Sequence, residues 1–456
     1  MQAEQHAVPA PRPGINASLV KSTLVCGLGG LLFGFDTVVI SGTTRDLQRQ
    51  FHLPKSFTLH SIGFTVAIAL IGTMIGAAFA GRLGDRLGRR DGLRWMALLY
   101  LLSALGCAFA WGWLPLIAAR LLAGLAIGGS SVLGPMYIAE IAPPQWRGRL
   151  VGFFQIMIVT GILIAYLSNF LIVRASLGAA EWRWMLGVAA LPAAVFLLLL
   201  FGIPRSPRWL VQQGRLDEAR AALQSTGDPN VQQDLDEIAA SLSAGGRREP
   251  LFRRQYRKPI LLAVTLAVFN QLTGINAILY YMNDIFTRAG FSRNSGSLQA
   301  AIIGAANLVF TLLAMSVIDK LGRKTLLLVG SVGTAFCLAG AAAIFLTGRH
   351  EPWLLWMLIG FIAFFAFSQG AVIWVYISEI FPNAIRGKGQ SLGTVANWTM
   401  DALISWSFPA VAALSSGYPF VFFAAMMVLQ FFLVLFFFPE TAGVSLEQMQ
   451  RQLESA

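Results

Sequence analysis

The sequence predicts an all-α membrane protein whose twelve transmembrane helices form two pseudo-symmetric bundles of six. Three observations carry that prediction. Of 456 residues, 56% are hydrophobic and only 12% charged, with a mean hydropathy of +0.65, a balance that excludes a water-soluble globule. The apolar residues gather into about a dozen runs close to the ~20 residues that cross a bilayer as a helix. Charged and proline-containing motifs of the first half of the chain recur in the second.

In order, the runs lie near residues 18–43, 59–81, 95–112, 114–142, 150–173, 184–203, 259–287, 297–318, 325–347, 353–381, 389–416 and 418–438. Residues 1–17 are polar and proline-containing, without a short apolar region and cleavage site, so the first run is expected to stay as a helix. Lys and Arg crowd into segments 82–94, 147–149, 205–258, 320–324 and 386–388, all on the side that holds both termini. That asymmetry places this side in the cytoplasm, beside anionic headgroups. The net charge of +12 therefore reads as membrane topology and not as a nucleic-acid surface. Cys26, Cys107 and Cys337 are far apart in apolar stretches and read as packing residues. Trp111, Trp113, Trp182, Trp184 and Trp353 fall at run ends, where indole rings anchor at the membrane interface.

The repeat is the most informative signal of organisation. Asp85-Arg86-Leu87-Gly88-Arg89-Arg90 recurs as Asp319-Lys320-Leu321-Gly322-Arg323-Lys324. Tyr137-Ile138-Ala139-Glu140, followed by Pro143 and Arg147-Gly148, recurs as Tyr376-Ile377-Ser378-Glu379, followed by Pro382 and Arg386-Gly387. Pro204 and Pro439 end the sixth and twelfth runs. The expected division is a bundle over 1–205, a polar linker with short helices over 206–258, and a second bundle with a short tail over 259–456. Two parallel repeats about an axis along the membrane normal are a transporter architecture, with the substrate near the midplane. Asp85, Arg86, Glu140, Arg147, Asp319, Arg323, Glu379 and Arg386 then sit at cytoplasmic helix ends. Either they form ion pairs that hold the inner side shut and break when it opens, or they are topology determinants alone.

These motifs, in this order, resemble the sugar porters of the major facilitator superfamily over nearly the whole chain. The resemblance also rests on Gly29 to Asp36, Gly81 to Arg90, Arg120, Ser206-Pro207-Arg208-Trp209-Leu210, Gln271-Leu272-Thr273-Gly274-Ile275-Asn276 with Tyr280-Tyr281, and Pro439-Glu440-Thr441. A sugar offers hydroxyls that donate and accept, plus apolar faces, so its site needs neutral amides and an aromatic platform. The apolar runs carry such groups at Gln155, Asn270, Gln271, Asn276, Asn307, Trp374, Asn397 and Trp398, where an amide is costly unless it faces a cavity or a partner helix. Gly274 would let the seventh helix unwind beside them.

The resemblance implies sugar contacts at Gln155, Gln271, Asn276, Asn307, Trp374 and Asn397, and an outer gate at Tyr280 and Tyr281. The chain departs from the family pattern at Asn270, usually Gln; at Ala371 and Ile373, usually prolines that hinge the tenth helix; at Arg205, usually Glu; and at Ala442, usually Lys.

Asp36 is the one ionisable residue between Lys21 and Arg45, and Arg120 is charged within the fourth run. Both lie about 10 Å below the outer ends of their runs at ~1.5 Å per residue, so they can pair. A pair that separates during the cycle loads and unloads a proton; a permanent structural ion pair is the alternative. In this family an acid at Asp36 resembles the proton-coupled members. Asp401, mid-run in the eleventh helix, is either a second titrating group or a ligand for a sugar hydroxyl.

The expected activity is import of a hexose or pentose with a proton, against uniport of a sugar or polyol on the same fold. The expected partners are sugar, proton and lipid, on a monomer in a bacterial inner membrane. No cofactor and no enzymatic activity are expected. His6, His52 and His350 lie in the tail or outer loops and His60 at the outer end of the second run, without a metal-binding spacing, and no phosphate loop is present.

Overall fold

A computed structural model of the chain describes residues 16–227, 230–243, 250–382, 385–442, 444 and 448–449; for residues 243 and 317–320 it describes the backbone alone. The first group of helices is α1 (Ala17–Val39), α2 (Thr44–Phe51), α3 (Ile62–Leu87), α4 (Arg89–Ala108), α5 (Trp113–Ile141), α6 (Pro144–Ala175), α7 (Glu181–Gly187) and α8 (Ala190–Leu199). Short α9 (Pro207–Gln212), α10 (Leu216–Ser225) and α11 (Val231–Ser243) follow. The second group is α12 (Arg257–Leu272), α13 (Ile275–Tyr280), α14 (Met282–Arg288), α15 (Arg293–Leu321), α16 (Arg323–Thr347), α17 (Leu354–Phe365), α18 (Ala371–Ile380), α19 (Arg386–Leu414) and α20 (Tyr418–Phe437).

Twelve spans result when α7–α8, α12–α14 and α17–α18 are each read as one broken helix. Ten described helical stretches are long and apolar enough to cross a bilayer by composition. The other two spans are α4 and α19, whose helices begin in the charged turns Arg89–Arg94 and Arg386–Lys388. The expected third run begins at residue 95, yet α4 begins at Arg89, because the charges of its first turns are paired: Asp91 of the same helix receives Arg90 at 3.2 Å and Arg94 at 2.7 Å, and Glu140 of α5 receives Arg89 at 3.0 Å.

The bundles are fastened internally by close helix crossings. α1 lies on α6 and α3 on α5; at the first crossing a Cβ on Gly34 would overlap the Ile158 carbonyl. Between groups, α3 packs on α19 and α6 on α15. Two apolar cores fill the basic ends separately, one around Tyr137, Phe154 and Phe196, the other around Tyr376, Ile377 and Phe438. At the opposite end one continuous core includes residues of both groups, among them Tyr166, Trp182, Tyr280 and Phe408.

Trp182 departs from the sequence expectation. It is 1% exposed and packs edge-on to Phe51 at 5.8 Å, so it belongs to that core and is no interfacial anchor. Trp111, Trp184 and Trp353 are exposed. The three cysteines are free and buried.

The prolines absent at Ala371 and Ile373 leave the tenth span broken all the same. Residues Ala366–Gly370 form a π-helical turn between α17 and α18, the other common origin of a kink. Gln369 inside it donates to Gln430 Oε1 of α20 at 2.9 Å.

Candidate functional site

The seventh span positions the central polar groups. Gly274 adopts φ +78° between α12 and α13, a left-handed conformation that costs an L-residue roughly 1–2 kcal/mol; a Cβ there would also meet the Phe423 ring. The break turns Asn276 and Tyr280 toward α19. Gln271 Nε2 donates to Asn397 Oδ1 at 3.1 Å and its Oε1 accepts from Asn276 Nδ2 at 3.2 Å. Asn276 Nδ2 also donates to Asp401 Oδ2 at 2.7 Å, which Tyr280 reaches through its hydroxyl at 3.1 Å. Ser405 donates to the other oxygen at 3.1 Å. Asn397, Gln271, Asn276 and Asp401 are thus one chain of hydrogen bonds, and Asn270 Nδ2 beside it is buried without a partner.

Four other expected contacts lie outside this bonded chain. Gln155 is exposed on α6, in the stripe that continues through Val159, Ile162 and Tyr166. Asn307 is buried on α15 without a hydrogen bond to a described residue. Trp374 is 42% exposed. Trp398 is buried, with its ring 6.0 Å from that of Phe33.

Asp36 and Arg120 meet between α1 and α5. Arg120 Nη1 donates to both carboxylate oxygens, at 3.1 and 3.2 Å, and both side chains are nearly buried. They line a small cavity with Thr37, Thr73, Tyr280 and Trp398. Tyr280 therefore joins both constellations: its hydroxyl bonds Asp401, and it lines the same cavity as the Asp36–Arg120 pair.

The end opposite the basic loops is sealed across the two groups. Asp284 of α14 accepts from Thr44 at 2.7 Å and Arg45 at 3.1 Å, and Arg293 pairs with Asp46 at 2.8 Å and Glu181 at 2.7 Å. Lys55 lies near this cluster; burial, reinforced by Arg288, pushes its ammonium below the ordinary lysine range. Tyr280 and Tyr281 are buried beneath, with Tyr281 stacked on Phe408 at 5.0 Å and donating to the Ser405 carbonyl at 2.9 Å. Tyr166 of α6 donates to the Leu279 carbonyl at 2.6 Å.

At the basic end, every ion pair among the described residues stays within one group. Glu140 pairs with Arg89 at 3.0 Å, not with Arg86 or Arg147, which are exposed. Arg89 also reaches Asp85 at 3.2 Å. Glu379 pairs with Arg323 at 3.1 Å, while Arg386 keeps two buried nitrogens without partners. The Asp319 side chain lies outside the described residues. The repeat carried a signal for Arg89, since it occupies the place of Arg323.

The two basic ends are built alike. Tyr137 donates to the Pro204 carbonyl at 2.7 Å and Tyr376 to that of Pro439 at 3.2 Å. Ser206 donates to Glu140, and Thr441 to Glu379 at 2.6 Å. One position differs. Glu440 caps α16, accepting from the backbone of Arg323 at 2.8 Å and Lys324 at 3.0 Å, a favourable place for an anion. Its counterpart Arg205 instead pairs with Asp91 at 3.1 Å, which accommodates the reversed charge.

The sequence from residue 22 to 453 matches the family model described as "Sugar (and other) transporter". It is 37% identical to the D-xylose-proton symporter of Escherichia coli (strain K12), over 95% of this chain and 96% of that protein. It is 34% identical to the arabinose-proton symporter of Bacillus subtilis (strain 168), over 97% of each. Among solved structures, the inward open conformation of the E. coli xylose transporter XylE superposes with a TM-score of 0.85 at 36% identity, covering 95% of this chain and 99% of that one. The same symporter bound to 6-bromo-6-deoxy-D-glucose gives 0.77 at 36% identity, over 96% and 99%. The chain is a multi-pass membrane transporter that belongs to the sugar porter family of the major facilitator superfamily.

Proposed function

We propose that this chain is a proton-coupled symporter that imports a monosaccharide, a pentose or a hexose, by alternating access in a bacterial inner membrane. The observation that carries the reading is the cavity shared by Asp36, Arg120, Tyr280 and Trp398: Tyr280 bonds the same Asp401 oxygen as Asn276, which links the buried acid to the amides that suit a sugar. Gln271, Asn276 and Asn397, with Asn270 alongside, hold the hydroxyls, while Gln155, Asn307, Trp374 and Trp398 complete the pocket from neighbouring helices. Asp36 carries the coupling proton and Arg120 displaces it.

The two six-helix groups, 1–205 and 259–456, rock as monomer halves around this site, joined by 206–258, with both termini in the cytoplasm. The sealed end, with Tyr280 and Tyr281 beneath it, is the outer gate, and the conformation is the one open to the cytoplasm. Asp85, Arg86, Glu140, Arg147, Asp319, Arg323, Glu379 and Arg386, with Arg89, exchange partners across the halves when the cytoplasmic side closes.

Uptake into proteoliposomes tests the reading. D-xylose, L-arabinose, D-glucose and sorbitol are offered with an acidic exterior, with and without a protonophore. Accumulation of one sugar that collapses with the protonophore is expected. Uptake that only equilibrates, unchanged by the protonophore, would make the protein a uniporter.

A further inference from the structure

Asp401 stands apart from every other acid of the described bilayer interior. It is 1% exposed and lies in mid-α19, and no cation pairs with it among the described residues; its partners are the neutral donors Asn276, Tyr280 and Ser405. A carboxylate in hydrocarbon is tolerated when paired, fully hydrogen-bonded or protonated. Here its charge depends on three neutral bonds, two of them from α13, and one of those donors is an amide of the sugar site.

The surrounding charges leave it isolated. On α3, Arg82, Asp85 and Arg86 lie at the basic end; Met74 already faces Thr399, so Arg82 is about 12 Å further along at ~1.5 Å per residue. On α18 the charge is Glu379, on α12 Arg257 and Lys258, and on α19 itself Arg386 and Lys388, all at that same end. On α14, Asp284 is bonded to Thr44 and Arg45, and Arg288 donates to the Ala412 carbonyl and Ser416, about three turns along α19 from Asp401. The titratable groups nearest Asp401 are therefore Tyr280, Tyr281 on the Ser405 carbonyl and, beyond Tyr280, Tyr166 and the Asp36–Arg120 pair.

We propose that Asp401 is a second proton-exchanging carboxylate of the transport cycle, taking up a proton when a sugar hydroxyl draws Asn276 away from it. The inference rests on the sugar–proton reading above. The step balances simply: a proton from the aqueous phase that delivers the sugar bonds to Asp401 Oδ2, and the Tyr280 hydroxyl, which both donates and accepts, turns from donor to acceptor. When the sugar leaves, Asn276 returns to the carboxylate and the proton departs to the other side. With Asp36 as the other exchanging acid, across the cavity that Tyr280 lines, each cycle carries two protons, one at Asp36 and one at Asp401.

The test is calorimetric titration of the purified full chain with D-xylose, L-arabinose and D-glucose, in pairs of buffers of different ionisation enthalpy, which counts protons bound per sugar. The wild type is expected to take up more protons than either single variant. Asp36→Asn should retain sugar-linked uptake, Asp401→Asn should lose a share of it while still binding sugar, Asp401→Glu should restore that share, and Asp36→Asn/Asp401→Asn should take up none.

Loss of all sugar-linked uptake in Asp36→Asn would overturn the second proton whether or not Asp401→Asn folds. Unchanged uptake in Asp401→Asn would do the same while leaving the sugar-transport reading intact. If the wild type binds none of the sugars, that underlying reading fails, and the second proton with it.

Discussion

Removing Arg120 should destabilise the protein more than removing Arg120 and Asp36 together. Arg120 meets Asp36 through Nη1 alone, at 3.1 and 3.2 Å, and its Nε has no partner. Breaking a buried pair by deleting one member costs about 3–5 kcal/mol, because a charge is left without compensation. A single shared nitrogen lacks the two parallel bonds of the strongest Arg–carboxylate geometry, which puts Arg120→Gln near the lower limit, about 3 kcal/mol. Asp36→Asn/Arg120→Gln leaves two amides able to bond one another, at a cost of about 1 kcal/mol. The double variant should therefore be more stable than Arg120→Gln by about 2 kcal/mol, or roughly thirtyfold in the unfolding equilibrium. Equilibrium unfolding of the purified chain in mixed detergent micelles measures both variants. Should Arg120→Gln prove no less stable than the double variant, the pair would contribute nothing by its charge. In proteoliposomes Asp36→Asn should keep sugar exchange and accumulate less sugar than the wild type at the same pH gradient, because only the Asp401 proton remains; accumulation equal to that of the wild type would remove Asp36 from the coupling step.

Three further outcomes follow from the geometry. Gly274→Ala should cost about 2–5 kcal/mol, from the strained backbone and overpacking against Phe423, and should lower sugar exchange along with the thermal midpoint. Arg89→Ala should destabilise by about 2–3 kcal/mol through the orphaned Glu140, whereas Arg147→Ala, at an exposed position, should stay within about 0.5 kcal/mol; thermal unfolding of the two variants separates them. Burial alone would push the Glu440 carboxyl up, but four backbone N–H groups hold it below its ordinary value of 4.5. Its contribution to stability is therefore present above that pH and fades as pH falls through the lower folded value; in Glu440→Gln the acid limb of the stability profile should be flatter.

Most of the architecture was legible in the sequence because a bilayer makes length and apolarity nearly sufficient. The twelve runs fall on the twelve spans, and Gly274 marked the break in the seventh. What escaped depends on side chains brought together over long separations. Asp401 stood out as an acid in an apolar run, but two of its three donors lie more than a hundred positions earlier in the chain. Arg89 was passed over in favour of Arg86 and Arg147 because spacing alone does not say which cation of a cluster turns inward. Trp182 was misread because an indole at a span end looks the same in sequence whether it meets headgroups or a core. The π-helical turn left no local signature, since its stability comes from contacts such as Gln369 with Gln430.

That wide turn fixes the length of the tenth span. The wide turn takes up one residue more than an α-helix needs, so Trp374, Tyr376 and Glu379 face about 100° away from where unbroken winding would put them, and they do so only while Ala366–Gly370 keeps its width. A change that tightened the turn with all five residues present would swing the whole inner segment about its axis, away from α15 and the Arg323 partner. Deleting a single residue there would restore regular winding and leave that facing nearly unchanged.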